Sequence, residues 1–412
     1  MPPLRKEGCP VPRIQRGTRE YQLVTLALFL SALSIYASLY VTQPILPLLS
    51  ADFGIIPAQA SLSVSTATIS MAISQMLVGP VADSLGRKPI MTVAVLATGV
   101  IGLVASRTVA FGPFLFTRFL QGLVMAGLPA TAMAYLAEEI DPQHLGAAMG
   151  LYISGNSLGG LGGRIISGSV AEFWGWRGAV AAIGVVSLVC ALWFARALPP
   201  SRNFRAQPLQ LRRLVHSLFG AVRDPLLRAL YLVGFMAMGS FVALYNYVSY
   251  HLMAPPYSLS AALMGWIFLL YLAGTFSSAL MGRLSDQYGR APMLALSLGI
   301  ELAGAAIALA GPLLVKIGGI AVFTFGFFGA HSIASSWVGQ RARHDKGAAS
   351  ALYLFTYYMG ASIAGTVAGL FWMRFGWPGV VGFIACLLAT AVGLAALARK
   401  LSAGTETVST ID

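Results

Sequence analysis

Acidic residues are scarce in this chain, 14 Asp and Glu against 27 Lys and Arg in 412 positions. Charge of both signs together makes up 10% of the sequence, where soluble domains carry roughly 25%. So few charges cannot cover the surface of a water-soluble globule of this length, which excludes an ordinary cytoplasmic enzyme. Cysteine is equally sparse: 3 residues cannot build a disulfide framework. No P-loop, zinc-ligand spacing or dinucleotide fingerprint occurs, so neither ATP hydrolysis nor a metal or other cofactor is expected. Gly155-x-Ser157-x-Gly159 has the letters of a hydrolase nucleophile elbow. It lies inside an apolar run without a strand-to-helix turn or a triad partner, and no enzyme is expected.

What is abundant is apolar. Hydrophobic residues form 57% of the chain, which excludes disorder, and the mean hydropathy is +0.76. Runs long enough to cross a hydrocarbon core of about 30 Å as helices fall near 22–45, 59–80, 89–106, 112–136, 145–169 and 178–197. A second set falls near 226–250, 260–281, 291–310, 317–338, 347–370 and 378–398. The expected fold is an all-α membrane protein of twelve transmembrane helices.

The surplus of 13 positive charges sorts by side. With twelve spans, both termini and every loop from an even to an odd span share one face. That face holds 21 Lys and Arg, and the opposite face holds only Arg107, Arg177, Lys316 and Arg374. The bias is expected to place both termini in the cytoplasm and removes nucleic acid as a partner. Membrane lipid is the expected surround, and a monomer the expected state. The expected organisation is a basic tail over 1–20, a six-helix bundle over 21–198, a linker over 199–225, a second bundle over 226–400 and a tail over 401–412. In the linker, Leu211, Leu214, Val215, Leu218, Phe219 and Val222 fall at helical spacing among arginines. This reads either as an amphipathic helix on the inner leaflet or as a solvated connection.

The halves repeat. Gly79, Asp83, Gly86 and Arg87 after the second span recur as Gly282, Asp286, Gly289 and Arg290 after the eighth, at a shift of 203. Gly146-Ala-Ala recurs as Gly347-Ala-Ala, and Trp174-Gly175-Trp176 as Phe375-Gly376-Trp377, at a shift of 201. Two pseudo-symmetric six-helix bundles follow, with a path between them near the bilayer midplane.

These residues resemble the major facilitator superfamily over nearly the whole chain. Gly79–Pro89 is similar to that family's signature after its second helix, and Gly282–Pro292 to its degenerate second copy. Arg118-Phe-Leu-Gln121-Gly122 resembles the arginine motif of proton-coupled exporters. Gly155-Asn-Ser-Leu-Gly159-Gly160-Leu-Gly162-Gly163 resembles the fifth-helix antiporter motif, departing from it at Gly160, where the family has proline, and at Arg164, where it has glycine. The resemblance implies alternating access by a small-molecule transporter, with efflux of a small amphipathic or sugar-like solute against proton entry as the leading mode and the proton gradient as energy source. Proton-coupled import of a sugar or organic acid, and a receptor or assembly partner without turnover, are the rivals.

Candidate residues follow. In the family, an aspartate such as Asp83 faces the start of the eleventh helix, here Gly347, whose free N–H groups favour an anion. Arg87 is expected to meet Glu138 or Glu139, and Asp286 and Arg290 repeat the arrangement. Together they form an expected latch on the inner side. Arg118, Arg164, Glu301 and His331 lie inside spans, where a charge costs about 2.5–3.5 kcal/mol. Arg118 reads either as a proton-steering or anion-binding group or as a hydrogen-bonded structural arginine. Arg164 reads as a path residue or a structural cap, and Glu301 as a proton carrier or a lipid-shielded neutral acid. His331 exchanges protons near neutral pH or is held by Ser332 or Ser335. Tyr36, Tyr40 and Gln43 on the first span and Asn156 on the fifth are polar groups expected along the path. Tyr245 and Asn246 on the seventh and Tyr357 on the eleventh complete the set. Gly155, Gly159 and Gly163 give small-residue spacing for close helix contact.

Overall fold

The computed structural model describes residues 13–204, 206, 211–342 and 346–409. The first twelve residues, with Arg5 and Lys6 of the expected basic tail, lie outside the described residues. So do parts of the linker and of the loop before the eleventh span, and the last three positions. The helices in chain order are α1 (Arg19–Leu39), α2 (Leu46–Phe53), α3 (Pro57–Leu85), α4 (Arg87–Ala105), α5 (Phe111–Met125), α6 (Pro129–Glu139) and α7 (Pro142–Ala197). After the linker helix α8 (Leu211–Arg223) come α9 (Pro225–Met253), α10 (Ala261–Ile267), α11 (Tyr271–Tyr288), α12 (Arg290–Ile307), α13 (Leu313–Arg341) and α14 (Lys346–Ser409).

Among the described residues, ten helical stretches are long and apolar enough to span a membrane, and two of them count double. The φ of Gly175 is 64° and that of Gly376 is 60°, and neither residue is helical. The left-handed region is open to glycine without the Cβ clash that other residues meet, so each long helix turns back on itself there. Twelve spans result. Three further spans are interrupted. The first runs through α1, a 3-10 turn at Gln43–Ile45 and α2, the last of these opening with Pro47 in its first turn. The fourth breaks between α5 and α6 at Gly127, just before Pro129, which has no N–H to continue the ladder. The eighth runs through α10, a 3-10 turn at Phe268–Leu270 and α11.

Buried apolar residues form two clusters. One is drawn almost wholly from residues 14–198, the other from 221–398. Within the first, α7 lies against α1 backbone to backbone. A Cβ added at Gly155, Gly159 or Gly163 would sit 2.5 Å from Phe29 O, 2.3 Å from Leu33 O and 2.3 Å from Ala37 Cα. The expected packing glycines are thus in contact with the first span. Within the second, Gly360 of α14 meets Phe235 of α9 in the same way, at 2.0 Å from Phe235 O.

The N-terminal segment is tied to the α6–α7 junction. Ile14 N donates to Glu139 O and Asp141 N to Ile14 O, while Gln15 Nε2 donates to Asp141 Oδ2 at 2.9 Å. Asp141 also caps α7 by accepting from Gln143 N. These bonds hold its carboxyl below the ordinary aspartate range, the backbone N–H of Gln143 first and the Gln15 amide second. In α8, Phe219 is 65% exposed and Val222 is also exposed, so this helix turns apolar surface outward.

Candidate functional site

A seam on one side joins the two halves. Ser65 and Ser362 exchange hydrogen bonds, each hydroxyl donating to the other's carbonyl at 3.0 Å, and Thr68 and Thr366 extend the seam. Gln43 Nε2 donates to Asn246 Oδ1 at 2.9 Å, and Tyr250 Oη lies 2.6 Å from Ser50 Oγ while donating to Leu46 O. Gly168 faces Ala261 and Gly265 so closely that an added Cβ would lie 2.5 Å from Ala261 O. Glu172 adds to the same end by accepting from Ala262 N at 3.3 Å, while Tyr36 and Tyr358 meet across the cavity itself. At the other end, where Asp83 and Glu138 lie, no ion pair joins the two bundles among the described residues.

A cavity of about 370 Å³ lies between the halves above the seam. Its wall takes Tyr36, Tyr40, Asn156 and Arg164 from the first half, and Tyr357 and His331 from the second, all expected on the path or as proton carriers. Three other expected path residues do not face it. Gln43 and Asn246 are fully buried in the seam, occupied with each other, and Tyr245 is buried behind the wall with its hydroxyl 2.8 Å from Thr324. Residues not singled out in the sequence supply much of the wall: Phe241, Tyr271, Phe327 and Phe328. Phe327 and Phe328 precede His331 by one helical turn, a spacing that puts them on its face.

Arg164 is 3% exposed at the closed end of the cavity. Its Nε donates to Gln43 Oε1 at 2.7 Å and its Nη1 to Gly160 O at 2.6 Å. Three rings surround the guanidinium, their centroids 4.0 Å (Tyr40), 4.8 Å (Phe268) and 4.9 Å (Tyr271) from Cζ, the geometry of cation–π contact. Among the described residues no carboxylate pairs with it, and no Asp or Glu lines the cavity.

Arg118 is buried as deeply but placed differently. Its Nη1 and Nη2 donate to Ser38 O and Leu39 O, where α1 ends, its Nε to Ser63 O, and Nη1 also to Gln121 Oε1. The broken first span leaves carbonyls without intrahelical donors, and Arg118 supplies them. It does not line the cavity, so of its two readings the geometry fits the structural one.

His331 Nδ1 lies 3.0 Å from Tyr353 Oη, not against Ser332 or Ser335, and its ring packs 4.6 Å from that of Tyr357. The expected serine partners bond elsewhere: Ser332 donates to Ser278 O, and Ser335 to Ser332 O. Glu301 is fully buried between α12 and α13, against the backbone at Gly326, and away from the cavity. Neither of its carboxyl oxygens has a hydrogen-bond partner.

At the open end, Arg87 bridges Asp83 Oδ1 at 2.5 Å and Glu138 Oε1 at 2.8 Å, joining α3, α4 and α6. Glu139 has another task, accepting from the backbone of Arg202 and Asn203 and so fastening the linker. The expected contact from Asp83 to Gly347 is not made in this arrangement, where Gly347 is exposed. The second copy is not equivalent. At the shift of 203, Arg341 stands in the place of Glu138, and Arg290 has no ion pair among the described residues. Arg341 pairs instead with Asp224, the cap of α9, at 2.7 Å, and Asp286 is exposed with no ion pair among the described residues.

A family model described as Major Facilitator Superfamily matches residues 28–256 and 230–410. The MFS-type transporter YybF of Bacillus subtilis (strain 168) is 47% identical over 94% of this chain and 96% of its own. The inner membrane transport protein YnfM of Escherichia coli (strain K12) is 46% identical over 92% of this chain and 91% of its own. Among solved structures, a bacterial homologue of the human lysosomal transporter Spinster superposes with a TM-score of 0.77 at 15% identity, covering 93% of this chain and 96% of that one. A D-xylose-proton symporter does so at 0.75 and 15%, over 91% and 97%. At that identity the structural likeness concerns the fold.

Proposed function

Because the chain belongs to the major facilitator superfamily, we propose that it is a secondary active transporter exporting a small amphipathic solute against proton entry. The observation that carries this reading is a polar-aromatic cavity built by both halves, sealed at one end by a hydrogen-bonded seam and open at the other. Rocking one half against the other breaks that seam and closes the opposite end, where Asp83, Arg87 and Glu138 already form a fixed acidic-basic cluster. The 21-to-4 sorting of basic residues supports placing the open end in the cytoplasm. The exposed apolar side of α8 then rests on the inner leaflet.

His331 is the imidazole of the cavity wall, held by Tyr353 at 3.0 Å, and its place there supports a part in proton exchange better than that of Glu301, which the cavity does not reach. The test is flux in proteoliposomes carrying a pH-sensitive dye, with arabinose, ethidium and benzoate as solutes. Solute exit coupled to proton entry supports export. Uptake coupled in the same direction as the proton makes the protein an importer, and solute binding without flux under either gradient makes it a receptor.

A further inference from the structure

Resting on that transport reading, we propose that the cavity takes a monocarboxylate with an aromatic or apolar body, its carboxylate seated on Arg164 at the closed end. Arginine carries five N–H donors. Two of those on Arg164 are used, by Gln43 and Gly160, and the other three, on Nη1 and Nη2, have no acceptor among the described residues. The guanidinium is thus a deeply placed charge without a counter-ion among the described residues, and its free N–H groups open to the cavity, where an anion can complete them. Arg118 shows what a merely structural buried arginine looks like in the same protein. Its donors end on three carbonyls and a glutamine, and it touches no cavity.

The surroundings specify the ligand further. Tyr40, Phe268 and Tyr271 surround the guanidinium, leaving its N–H edge for a ligand, and that planar fork matches a carboxylate with two parallel bonds. The wall holds a single permanent cation, so a second anionic group on the ligand would stay unpaired. His331, the other basic side chain of the wall, is engaged by Tyr353. Phe241, Phe327, Phe328 and Tyr357 line the remaining space and favour a ring or a short chain over a sugar. A volume of about 370 Å³ suits a small organic molecule and is too small for a two-chain phospholipid.

The experiment uses the full-length protein purified in neutral detergent, with its thermal unfolding midpoint followed against ligand concentration. The probes are benzoate, 4-hydroxybenzoate and octanoate, each beside its amide and the amine of the same skeleton, with lyso-phosphatidylglycerol as a lipid anion. The acids are expected to raise the midpoint saturably and the amides and amines are not. Arg164→Gln should weaken acid binding about thirtyfold or more, the usual effect of removing one partner of a buried charge pair. Leu161→Glu sets a carboxylate on the same cavity wall, one turn before Arg164. It supplies the counter-ion from within, so this variant should stay folded and lose acid binding even where Arg164→Gln does not fold.

Amides or amines that stabilise as well as the acids overturn the assignment, as do acids that bind Leu161→Glu as tightly as the parent. Stabilisation by none of the acids, or only by the lipid anion, overturns it too. Acid binding without flux in proteoliposomes would instead remove the transport reading and leave the anion site standing.

Discussion

Gln43 and Asn246 are repeat mates, separated by the same 203 positions as the two motif copies, and they hydrogen-bond to each other across the halves at 2.9 Å. Both are fully buried. Gln43 uses its amide nitrogen for this bond and its amide oxygen for Arg164. One side chain therefore links the cavity cation to the seam that closes the cavity, and an anion that draws Arg164 away acts directly on that seam.

Asn246→Ala should loosen the closed end without touching the cavity wall. An unmade buried hydrogen bond costs about 1–3 kcal/mol, so the population open at that end should rise about fivefold or more. The check is a Ser362→Cys reporter in a protein whose three native cysteines are replaced. Labelling by an impermeant maleimide from outside should speed up in the Asn246→Ala background, and an unchanged rate would show that this bond does not hold the seam.

The two arginines buried inside spans, Arg118 and Arg164, should fail in different ways. Arg118→Gln leaves the carbonyls of Ser38, Leu39 and Ser63 without their charged donor, and hydrogen bonds to charged groups are worth about 1.5–3 kcal/mol each. Loss of expression or a sharply lower unfolding temperature is expected, read by size-exclusion profile and melting curve.

Two glycines in α7 separate folding from gating. Gly159 meets Leu33 inside the first half, and Gly168 meets Ala261 and Gly265 of the second. Gly159→Val should destabilise the bundle by about 1–3 kcal/mol or more through overpacking. Gly168→Val wedges only the seam, so the protein should keep its melting temperature and show faster outside labelling of the Ser362→Cys reporter. Equal destabilisation by both would contradict this division.

Asp83→Asn removes one carboxylate from the Arg87 bridge while Glu138 remains. Insertion should be normal and transport at least about tenfold slower, the equivalent of roughly 1.4 kcal/mol in the balance between the two openings. Flux assays at matched protein levels decide this, and parental rates would dismiss the latch.

Asp141 gives a pH dependence of known sign. Its carboxyl is held below the ordinary value by Gln143 and Gln15, so its contribution is fully present above about pH 4 and fades as the pH falls through the lower folded value. Tryptic cleavage at Arg16 and Arg19 should therefore be accelerated at neutral pH by Asp141→Ala, which also removes the side-chain cap of α7.

The repeat made the fold readable. Gly175 and Gly376 stand at matching places in the two halves, and both proved to be the breaks that turn two long helices into four spans. Arg164 could be read as anomalous, since a charge within an apolar run always is. Its difference from Arg118 could not, because that difference depends on which way each side chain leaves its helix and on where the first span breaks. The ring cage was hidden for another reason. Phe268 and Tyr271 come from an interrupted eighth span, and in a chain so apolar a phenylalanine carries no signal of its own. Gln43 and Asn246 were recognised as polar groups at membrane depth, but only their mutual contact shows them to be a closure.

Arg164 without an acidic partner has an electrical consequence. The empty cavity carries a positive charge at membrane depth, and moving one such charge across the full potential changes its energy by about 2.3 kcal/mol per 100 mV. A bound monocarboxylate cancels it. On the proposed topology the loaded protein then changes its opening almost indifferent to voltage, whereas the empty one is pulled back toward the cytoplasm by an inside-negative potential. For the proposed export of a monocarboxylate, the anion carries one negative charge outward in each cycle, and an inside-negative voltage adds its force to that of the proposed proton exchange.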